Sequence, residues 1–184
     1  MEALPVKDKI KVKREIFVSH EALHLDYEDT QVREERNKHY DLSSHFLWIG
    51  MRTNMTGGAH VEFFRGLENP IGVKLQKEVA NSPEDLKRLI EMIKLLNPKN
   101  EIGKLVLIVR FGARYVEDTL PKVLQAVLKE GWFLKRIFRV ISDIDLKVLW
   151  VVDGVHGNTQ KVGNVKTRKL EDVREVNKHF KENK

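Results

Sequence analysis

Four residues with chemically useful side chains each follow a short apolar run of the sequence. They are Arg52, Lys74, Arg110 and His156. The runs before them cover residues 46–49, 71–73, 105–109 and 148–152. Guanidinium and ammonium groups bind phosphates and carboxylates, and a histidine can act as a metal ligand or a general base. The four side chains together are typical of a pocket for an anionic substrate, with or without a metal.

The secondary structure of the surrounding segments determines whether the four side chains can lie close together. Continuous apolar runs of this length indicate strands that are buried on both faces, as in a parallel sheet. The predicted helices between and after them cover residues 61–66, 83–96, about 117–130 and about 169–180. Gly131 is the predicted stop of the third helix. Since active-site groups of α/β barrels lie at the carboxyl ends of the strands, we expect the four residues to converge on one pocket.

Three further segments fit the alternating pattern less directly. Ser19 is predicted to be the N-cap of a helix, and residues 31–39 are predicted to form an exposed helix end or a loop. Residues 132–145 are apolar and basic at mixed spacing. We interpret them as an insertion that packs on the same core, with a basic amphipathic helix on a partner or membrane as the alternative.

The order of the predicted elements defines the expected fold. Strand, short helix, strand, helix, strand, helix, strand and helix follow one another, which favours parallel strands joined by right-handed crossovers. We therefore expect an α/β fold, a partial TIM (β/α)8 barrel with about four βα units. An open four-stranded α/β sheet is the alternative. Residues 1–15 are expected to be a basic, poorly ordered lead-in to a barrel domain at residues 16–184.

The composition is that of an ordinary globular domain. The chain has 184 residues, of which 41% are hydrophobic and 33% charged. No apolar run approaches the ~18–20 residues that a membrane span needs, and the start of the sequence does not have the pattern of a secretory signal. The sequence contains no cysteine, which excludes disulfides and thiolate metal ligands. We predict a cytoplasmic protein.

The net charge of +6 is concentrated at the two ends of the chain. Residues 1–14 carry five basic and two acidic side chains, and residues 161–184 carry eight and four. Basic ends of this kind can bind nucleic acid or a membrane surface. Neither end shows the aromatic interleaving that supports base stacking. Solvated lysine-rich ends are therefore favoured, and a nucleic-acid-binding module is kept as an alternative function.

Several longer blocks of the sequence resemble the class II 3-deoxy-D-arabino-heptulosonate 7-phosphate (DAHP) synthases. The blocks are SHEAL at 19–23, WIG-x-RT at 48–53, GAHVEFFRG at 58–66, NPIGVK at 69–74, LNPKNEIGKL at 96–105, IVRFGA at 108–113, HGNT at 156–159 and KTR at 166–168. They extend over about residues 15–180. The resemblance implies the condensation of phosphoenolpyruvate with erythrose 4-phosphate, the first step of the shikimate pathway to aromatic amino acids.

The resemblance also implies roles for the four residues. Arg52, Lys74 and Arg110 would hold phosphoenolpyruvate through its phosphate and carboxylate groups. His156 would ligate a divalent metal, usually manganese or cobalt, which would polarise the aldehyde of erythrose 4-phosphate. The nucleophile would be the enol carbon of phosphoenolpyruvate, so that no protein nucleophile is needed.

The sequence departs from the family pattern in three ways. Met51 stands where the family has an acidic residue, and Asp153-Gly154-Val155-His156 replaces the family's Asp-Pro-Met-His. Family members also extend farther at both ends, and those parts supply a cysteine, a glutamate and an aspartate as metal ligands. The metal ligand set is therefore incomplete in this chain.

These departures lead us to expect little or no activity from the isolated chain. One alternative is a pseudoenzyme that binds phosphorylated metabolites or a partner without catalysis. A half-barrel also exposes two strand edges, and exposed edges favour association. We therefore expect the chain to associate with itself.

Overall fold

The computed structural model of the protein describes residues 16–138 and 147–183, and for residues 129–138 it describes the backbone alone. The strands, in chain order, are β1 (Ser19–Glu21), β2 (Val32–Glu35), β3 (Lys38–Asp41), β4 (Phe46–Ile49), β5 (Ile71–Leu75), β6 (Leu105–Val109), β7 (Val148–Val152), β8 (Thr159–Val162) and β9 (Val165–Arg168). The α-helices are α1 (Leu25–Gln31), α2 (Ala59–Arg65), α3 (Pro83–Leu96), α4 (Ala113–Phe138) and α5 (Leu170–Glu182).

The centre of the fold is a five-stranded parallel sheet with the strand order β1-β4-β5-β6-β7. From β4 to β7, each strand is joined through a helix to the strand that pairs beside it. The chain therefore advances across the sheet by one strand per βα unit. Two antiparallel hairpins, β2–β3 and β8–β9, accompany the sheet.

One face of the sheet is covered by helices and forms the core. Its residues from β4, β5 and β6 are almost completely buried: Leu47, Ile49, Ile71, Val73, Leu75, Leu105, Leu107 and Val109. They belong to one cluster with Phe64 of α2, Ile93 of α3 and Leu120 of α4. Burying this much aliphatic surface is the main stabilising contribution to such a fold.

The opposite face, which we call the inner face, carries the alternate residues of the same strands. Val106 and Ile108 of β6 are nearly buried, whereas Leu149 and Val151 of the edge strand β7 are 50% and 47% exposed. Gly72 of β5 is also on this face, where an added Cβ would come within 2.9 Å of neighbouring side chains. None of these residues belongs to the helix-packed core cluster.

The one-sided arrangement agrees with the expected α/β fold. Helices pack on a single face of a barrel sheet, whereas an open doubly wound sheet has helices on both faces. The five parallel strands and alternating helices are compatible with a partial TIM barrel, and the sheet is not closed within the described residues. No helix in the described ranges is long and apolar enough to cross a bilayer.

The prediction that Ser19 caps a helix is wrong, because Ser19 opens strand β1. Ser19 pairs with Phe46 in the parallel ladder between β1 and β4, and the amide of Ala22 donates to the carbonyl of Trp48 at 3.1 Å. The first helix begins later, at Leu25. Pairing with a distant strand overrides the local capping preference here, so the sheet has five strands where four were predicted.

The prediction of an exposed helix end or loop at residues 31–39 is also wrong. The segment forms most of the β2–β3 hairpin, whose two turn residues, Arg36 and Asn37, have φ angles of 53° and 60°. Two consecutive positive φ values are typical of a tight two-residue hairpin turn. The β8–β9 hairpin was not predicted either.

Helix α4 is longer than its sequence pattern predicts. It extends from Ala113 to Phe138 instead of about 117–130, and Gly131 lies inside it instead of ending it. Residues 132–138 thus continue α4, whereas residues 139–145 of the predicted insertion lie outside the described residues. Residues 1–15, the predicted lead-in, also lie outside the described residues.

A buried pair of carboxyl groups connects α1 to the β2–β3 hairpin. Glu28 and Asp41 are 2% and 0% exposed, and Glu28 Oε1 lies 2.8 Å from His20 Nε2. Burial raises the pKa of Asp41, assisted by the nearby charge of Glu28 and opposed by hydrogen bonds from Ser43. The second oxygens of both carboxyl groups are buried and have no hydrogen-bond partner among the described residues. The proximity of Glu28 therefore disfavours the charged form of Asp41.

Candidate functional site

The four candidate residues lie at the carboxyl ends of four consecutive strands of the sheet. Lys74 is the penultimate residue of β5, and Arg110 directly follows β6. Arg52 lies three residues beyond β4, and His156 begins a short 3₁₀ turn four residues beyond β7. Since the strands are parallel, all four residues are at the same edge of the sheet.

Lys74 projects from the inner face and has an acidic partner. Its ammonium group donates to Glu21 Oε2 at 3.2 Å and lies 5.1 Å from the centre of the Trp48 ring. Both members of the ion pair are partly buried. The amide of Asn54 donates to the Lys74 carbonyl at 2.8 Å. These contacts fix Lys74 in one orientation toward the inner face.

Glu21 is a residue of this site that the sequence argument missed. It closes β1, and its carboxylate lies against Gly50, where an added Cβ would overlap Glu21 Oε1. The glycine that directly follows β4 therefore makes room for the acidic partner of Lys74. The SHEAL block contained Glu21, but the strand that carries it was predicted as a helix start, so its direction could not be inferred.

Arg110 makes contacts with the loops on both sides of it. One guanidinium nitrogen contacts the sulfur of Met51, and the other donates to the carbonyl of His156 at 3.4 Å. No carboxylate pairs with Arg110 among the described residues. The thioether of Met51 is neutral, so it leaves the positive charge of Arg110 uncompensated. This charge is available for an anionic ligand.

His156 is held by the aspartate that precedes it. Its Nδ1 lies 2.7 Å from Asp153 Oδ2, and the amides of Val155 and His156 donate to Asp153 Oδ1 at 3.1 Å. Burial alone would raise the pKa of Asp153, but the hydrogen bonds from His156 and Val155 lower it below its ordinary value. The aspartate is therefore a stable acceptor that orients the imidazole.

The loops that follow β6 and β7 are locked against each other. Gly112 has a φ of +78°, and an added Cβ there would come within 2.5 Å of the Gly157 carbonyl oxygen. The side chain of Asn158 accepts from the amide of Ala113 at 2.7 Å and donates to the Gly154 carbonyl at 2.8 Å. These contacts explain why Gly112, Gly157 and Asn158 occupy the two loops. The same contacts hold Arg110 beside His156.

Arg52 stands apart from the other candidates in this structure. Its side chain is exposed, and it makes no hydrogen bond or ion pair with the residues of the described ranges. The structure brings Lys74 together with Glu21, and Arg110 together with Met51 and the His156 loop. The convergence of all four residues on one pocket stays a prediction.

A resident metal requires several ligands, and the described residues do not supply them. Within residues 16–138 and 147–183, no group of three or more histidine, aspartate or glutamate side chains is arranged to hold a metal ion. A carboxylate on one ring nitrogen is the usual outer partner of a metal-ligating histidine, and Asp153 takes that position on His156. One imidazole with such a partner is not a metal site by itself.

Comparison with known proteins gives a consistent result. The family model described as "Class-II DAHP synthetase family" matches residues 1–184. The chain is 38% identical over 176 residues to a phospho-2-dehydro-3-deoxyheptonate aldolase of Neurospora crassa. The aligned part covers 86% of this chain and 33% of the relative. The chain is 37% identical over 173 residues to a probable chloroplastic enzyme of that name from Catharanthus roseus, covering 92% and 31%.

A bacterial relative has the same degree of similarity. The chain is 38% identical over 181 residues to the phospho-2-dehydro-3-deoxyheptonate aldolase AroG of Mycolicibacterium smegmatis, with 94% of this chain and 35% of the relative covered. The chain therefore spans about a third of the length of the curated relatives it matches.

Proposed function

Since the chain belongs to the class-II DAHP synthetase family, we propose that it forms the phosphoenolpyruvate-binding part of a DAHP synthase. This enzyme, 3-deoxy-7-phosphoheptulonate synthase, condenses phosphoenolpyruvate with erythrose 4-phosphate. The relatives from fungus, plant and bacterium bear the name phospho-2-dehydro-3-deoxyheptonate aldolase. The same three-residue set, Arg52, Lys74 and Arg110, is proposed to hold phosphoenolpyruvate.

One observation carries this proposal: Lys74 and Arg110 are at the carboxyl ends of neighbouring parallel strands, beside the loop that carries His156. Lys74 pairs with Ile108 across the ladder, two residues before Arg110, and parallel strands are ~4.8 Å apart. A small molecule with a phosphate and a carboxylate group can contact both cations. Arg110 can bind one anionic group through two nitrogens, and Lys74 acts as a compact charge.

The proposed chemistry needs orientation more than a protein nucleophile. Cations that hold the phosphate and the carboxylate of phosphoenolpyruvate present its enol carbon, which attacks the aldehyde of erythrose 4-phosphate. Water then adds to the phosphate-bearing carbon, the aldehyde oxygen takes up a proton, and inorganic phosphate leaves. Such positioning lowers the entropic part of the activation barrier for joining the two reactants. His156 is proposed as one ligand of a divalent metal, but the described residues do not complete the ligand set. We therefore expect the chain alone to bind phosphoenolpyruvate without turning it over.

Two further expectations belong to the same proposal. Self-association is supported by the half-exposed Leu149 and Val151 on the edge strand β7. A cytoplasmic location is supported by a sequence without cysteine, although the relative from Catharanthus roseus is named chloroplastic.

Calorimetric titration of phosphoenolpyruvate into the purified chain, with and without manganese, tests the proposal. Arg110→Ala is the site variant, and Arg114→Ala is the matched control because Arg114 is an exposed arginine on the first turn of α4. We expect saturable binding that weakens at least tenfold in Arg110→Ala, since a charge-assisted contact contributes about 1.5–3 kcal/mol. The control variant should bind as the original chain does.

The outcome also separates the alternatives. Phosphate release when erythrose 4-phosphate is added would show that the chain is catalytic by itself, whereas binding without release supports a non-catalytic binder. Phosphoenolpyruvate binding that is absent, or equally weak in both variants, contradicts the proposed site. Binding to generic duplex DNA with a steep salt dependence would favour the nucleic-acid alternative.

A further inference from the structure

The two outer strands of the sheet each have an open edge within the described part of the chain. Strand β1 pairs with β4 alone, and β7 pairs with β6 alone. The amide of Ala22 donates toward β4, and the amide of Asp153 donates toward β6. Since backbone groups alternate in direction along a strand, those of Ser19 and Val152 point to the open sides. Such edges can accept a further strand.

An apolar groove lies beside the open edge of β7. It has a volume of about 410 Å³, and its lining comes from α4, β7 and α5 and includes Leu124, Leu128, Trp150 and Phe180. Leu128 is 61% exposed, so the groove is in contact with water along α4. Clustered apolar side chains at a surface are typical of an interaction site.

The edge at β1 carries apolar side chains that suit such a groove. Ile16 and Phe17, in the segment before β1, are 81% and 70% exposed, and Tyr27 of α1 is also exposed. Aromatic side chains bury a large apolar area at interfaces. Because β1 and β7 are the two ends of the strand order, these side chains belong to the edge opposite the groove. A second copy of the chain can therefore supply what the groove lacks.

The two ends of the sheet also carry opposite charges. Residues 16–31, which contain β1 and α1, have four acidic and no basic side chains. The exposed Asp26 and Asp29 of α1 form no ion pair with a described residue. On α5, Arg174, Lys178 and Lys181 line one shallow depression and likewise have no acidic partner in the described ranges. The acidic α1 and this basic stripe of α5 are electrostatically complementary.

We propose that two copies of this chain close a shared parallel barrel, in which β7 of each copy pairs with β1 of the other. The proposal goes beyond the self-association expected above because it fixes the partner edge, the parallel direction and closure after two copies. A two-fold rotation about the barrel axis keeps all strands parallel and makes the two junctions identical. Helix α5 covers each junction, so that its basic stripe faces the acidic α1 of the second copy.

The closed pair brings the candidate sites of both copies to one mouth. All strands run in the same direction, so their carboxyl ends lie at one rim of the barrel. The loop with His156 follows β7 and therefore lies beside Glu21, the last residue of β1, of the second copy. The half-exposed Leu149 and Val151 are enclosed. The pairing itself does not require phosphoenolpyruvate.

Cross-linking through introduced thiols tests the pairing, because the sequence contains no cysteine. Ser19→Cys puts a thiol on β1, on the same face as Glu21, and Val151→Cys puts one on the inner face of β7. A short bis-maleimide joins nearby thiols and tolerates a small shift in register. We expect a covalent dimer when the two variants are mixed and exchange subunits, and none from either variant alone. Ile102→Cys, at an exposed position before β6, is the control and should not cross-link to Ser19→Cys.

The double variant Ser19→Cys/Val151→Cys separates closure from open growth. A closed pair gives a single covalent product of twice the 21.5 kDa chain mass. A ladder of larger products means head-to-tail filaments, and cross-linking of Val151→Cys alone means that two β7 edges pair with each other. Either result, the absence of a mixed product, or a chain that stays monomeric overturns the proposal.

Charge reversal tests the contact between α5 and α1 independently of the thiols. Lys178→Glu/Lys181→Glu and Asp26→Lys/Asp29→Lys should each raise the dissociation constant of the pair at least tenfold at low salt. An equimolar mixture of the two variants should associate again, because both junctions of the mixed pair join opposite charges.

A matched control completes the charge test. Lys87→Glu/Lys122→Glu makes the same charge change on exposed lysines of α3 and α4 and should leave association unchanged. Equal weakening in this control, or no recovery in the mixture, contradicts the placement of α5 against α1. These variants keep Lys74 and Arg110, so calorimetry with phosphoenolpyruvate shows whether the binding site fails separately from the pairing.

Discussion

The helix-covered face and the inner face of the sheet are built from alternate residues of the same strands, yet they differ in cover and in content. On the helix-covered side, Leu105, Leu107 and Val109 are completely buried. On the inner side, Leu149 and Val151 of the edge strand β7 are half exposed, and the ammonium group of Lys74 lies over the Trp48 ring. The alternation lets one face supply stability while the other carries the charged groups.

The largest expected effect is a difference in stability between the two faces. Leu107→Ala should lower the free energy of unfolding by about 3–4 kcal/mol, because it leaves a cavity among packed helices. Leu149→Ala makes the same chemical change on the inner face and should cost about 1 kcal/mol, because half of that side chain is already in water. Urea unfolding of both variants measures the contrast. Equal losses would show that the inner face is as tightly packed as the core.

The half-exposed β7 part of the inner face should also govern self-association. Sedimentation of the chain is expected to show species heavier than the 21.5 kDa monomer, since β7 has a strand neighbour on only one side in the described part. Leu149→Lys should raise the dissociation constant at least tenfold by placing a charge on this apolar surface. Ile102→Lys, at an exposed isoleucine before β6, is the control and should not change it. A stable monomer at all concentrations contradicts this expectation.

The strands of the helix-covered face were largely predictable from the sequence because their residues are apolar. The runs at 105–109 and 148–152 are apolar without interruption, so their strand character is visible locally, and the structure confirms both. Ser19–Glu21 is too short and too polar for such a signal. It becomes a strand only because β4 pairs with it. The placement of Glu21 beside Lys74, a contact between residues 53 positions apart, was hidden for the same reason.

The candidate site was predictable in position but not in its contacts. The carboxyl ends of parallel strands indicate where Lys74 and Arg110 lie, because that follows from topology alone. The partner of each cation depends on loops that fold through tertiary contacts, such as the packing of Gly112 on Gly157. Helix α4 gives a further example: Gly131 is a frequent helix stop, but the helix continues through it to Phe138.

A smaller effect concerns the charge balance of the inner face. Glu21→Gln removes a negative charge next to Lys74, while the amide oxygen can still accept the lysine hydrogen bond. Phosphoenolpyruvate should then bind about fivefold more tightly at low salt, since two charges about 4 Å apart in a watery site interact by about 1 kcal/mol. The gain should shrink as salt is added. Calorimetry measures both affinities, with Glu62→Gln on α2 as the control.

The opposite result has a definite meaning. Weaker binding by Glu21→Gln would show that the full carboxylate is needed to hold Lys74 in its productive orientation. The electrostatic account of the inner face would then be wrong, and Glu21 would be a positioning residue whose charge is essential.

The smallest expected effects come from two carboxyl groups in contrasting surroundings. The pKa of Asp153 is lowered, so its contribution to stability is present above the unfolded pKa of about 3.9 and is lost as the pH falls through the folded pKa. The pKa of Asp41 is raised, so its charged form is disfavoured in the folded state and its unfavourable effect grows as the pH rises. The two aspartates therefore act with opposite signs.

Asparagine variants separate the two contributions. Relative to the original chain, Asp153→Asn should lose stability at pH 7, by about 1 kcal/mol for the hydrogen bonds concerned, and should approach it near pH 3. Asp41→Asn should gain relative stability as the pH rises from 3 to 7. Urea unfolding at several pH values gives both slopes. If the stability differences of the two variants changed with pH in the same direction, the opposite effects assigned to Asp41 and Asp153 would be contradicted.

The register of the parallel ladder has a consequence for how this site can change. Val73 pairs with Leu107, and Lys74 with Ile108, so the hydrogen bonds that join β5 to β6 also decide on which side of the sheet the ammonium group emerges. A shift of one residue would turn Lys74 toward the helices and Val73 toward the inner face. A gain or loss of one βα unit would move a cation sideways by one strand spacing, ~4.8 Å. The positions at which these strands present a cation can thus change only in discrete steps, because the backbone hydrogen bonds fix the register.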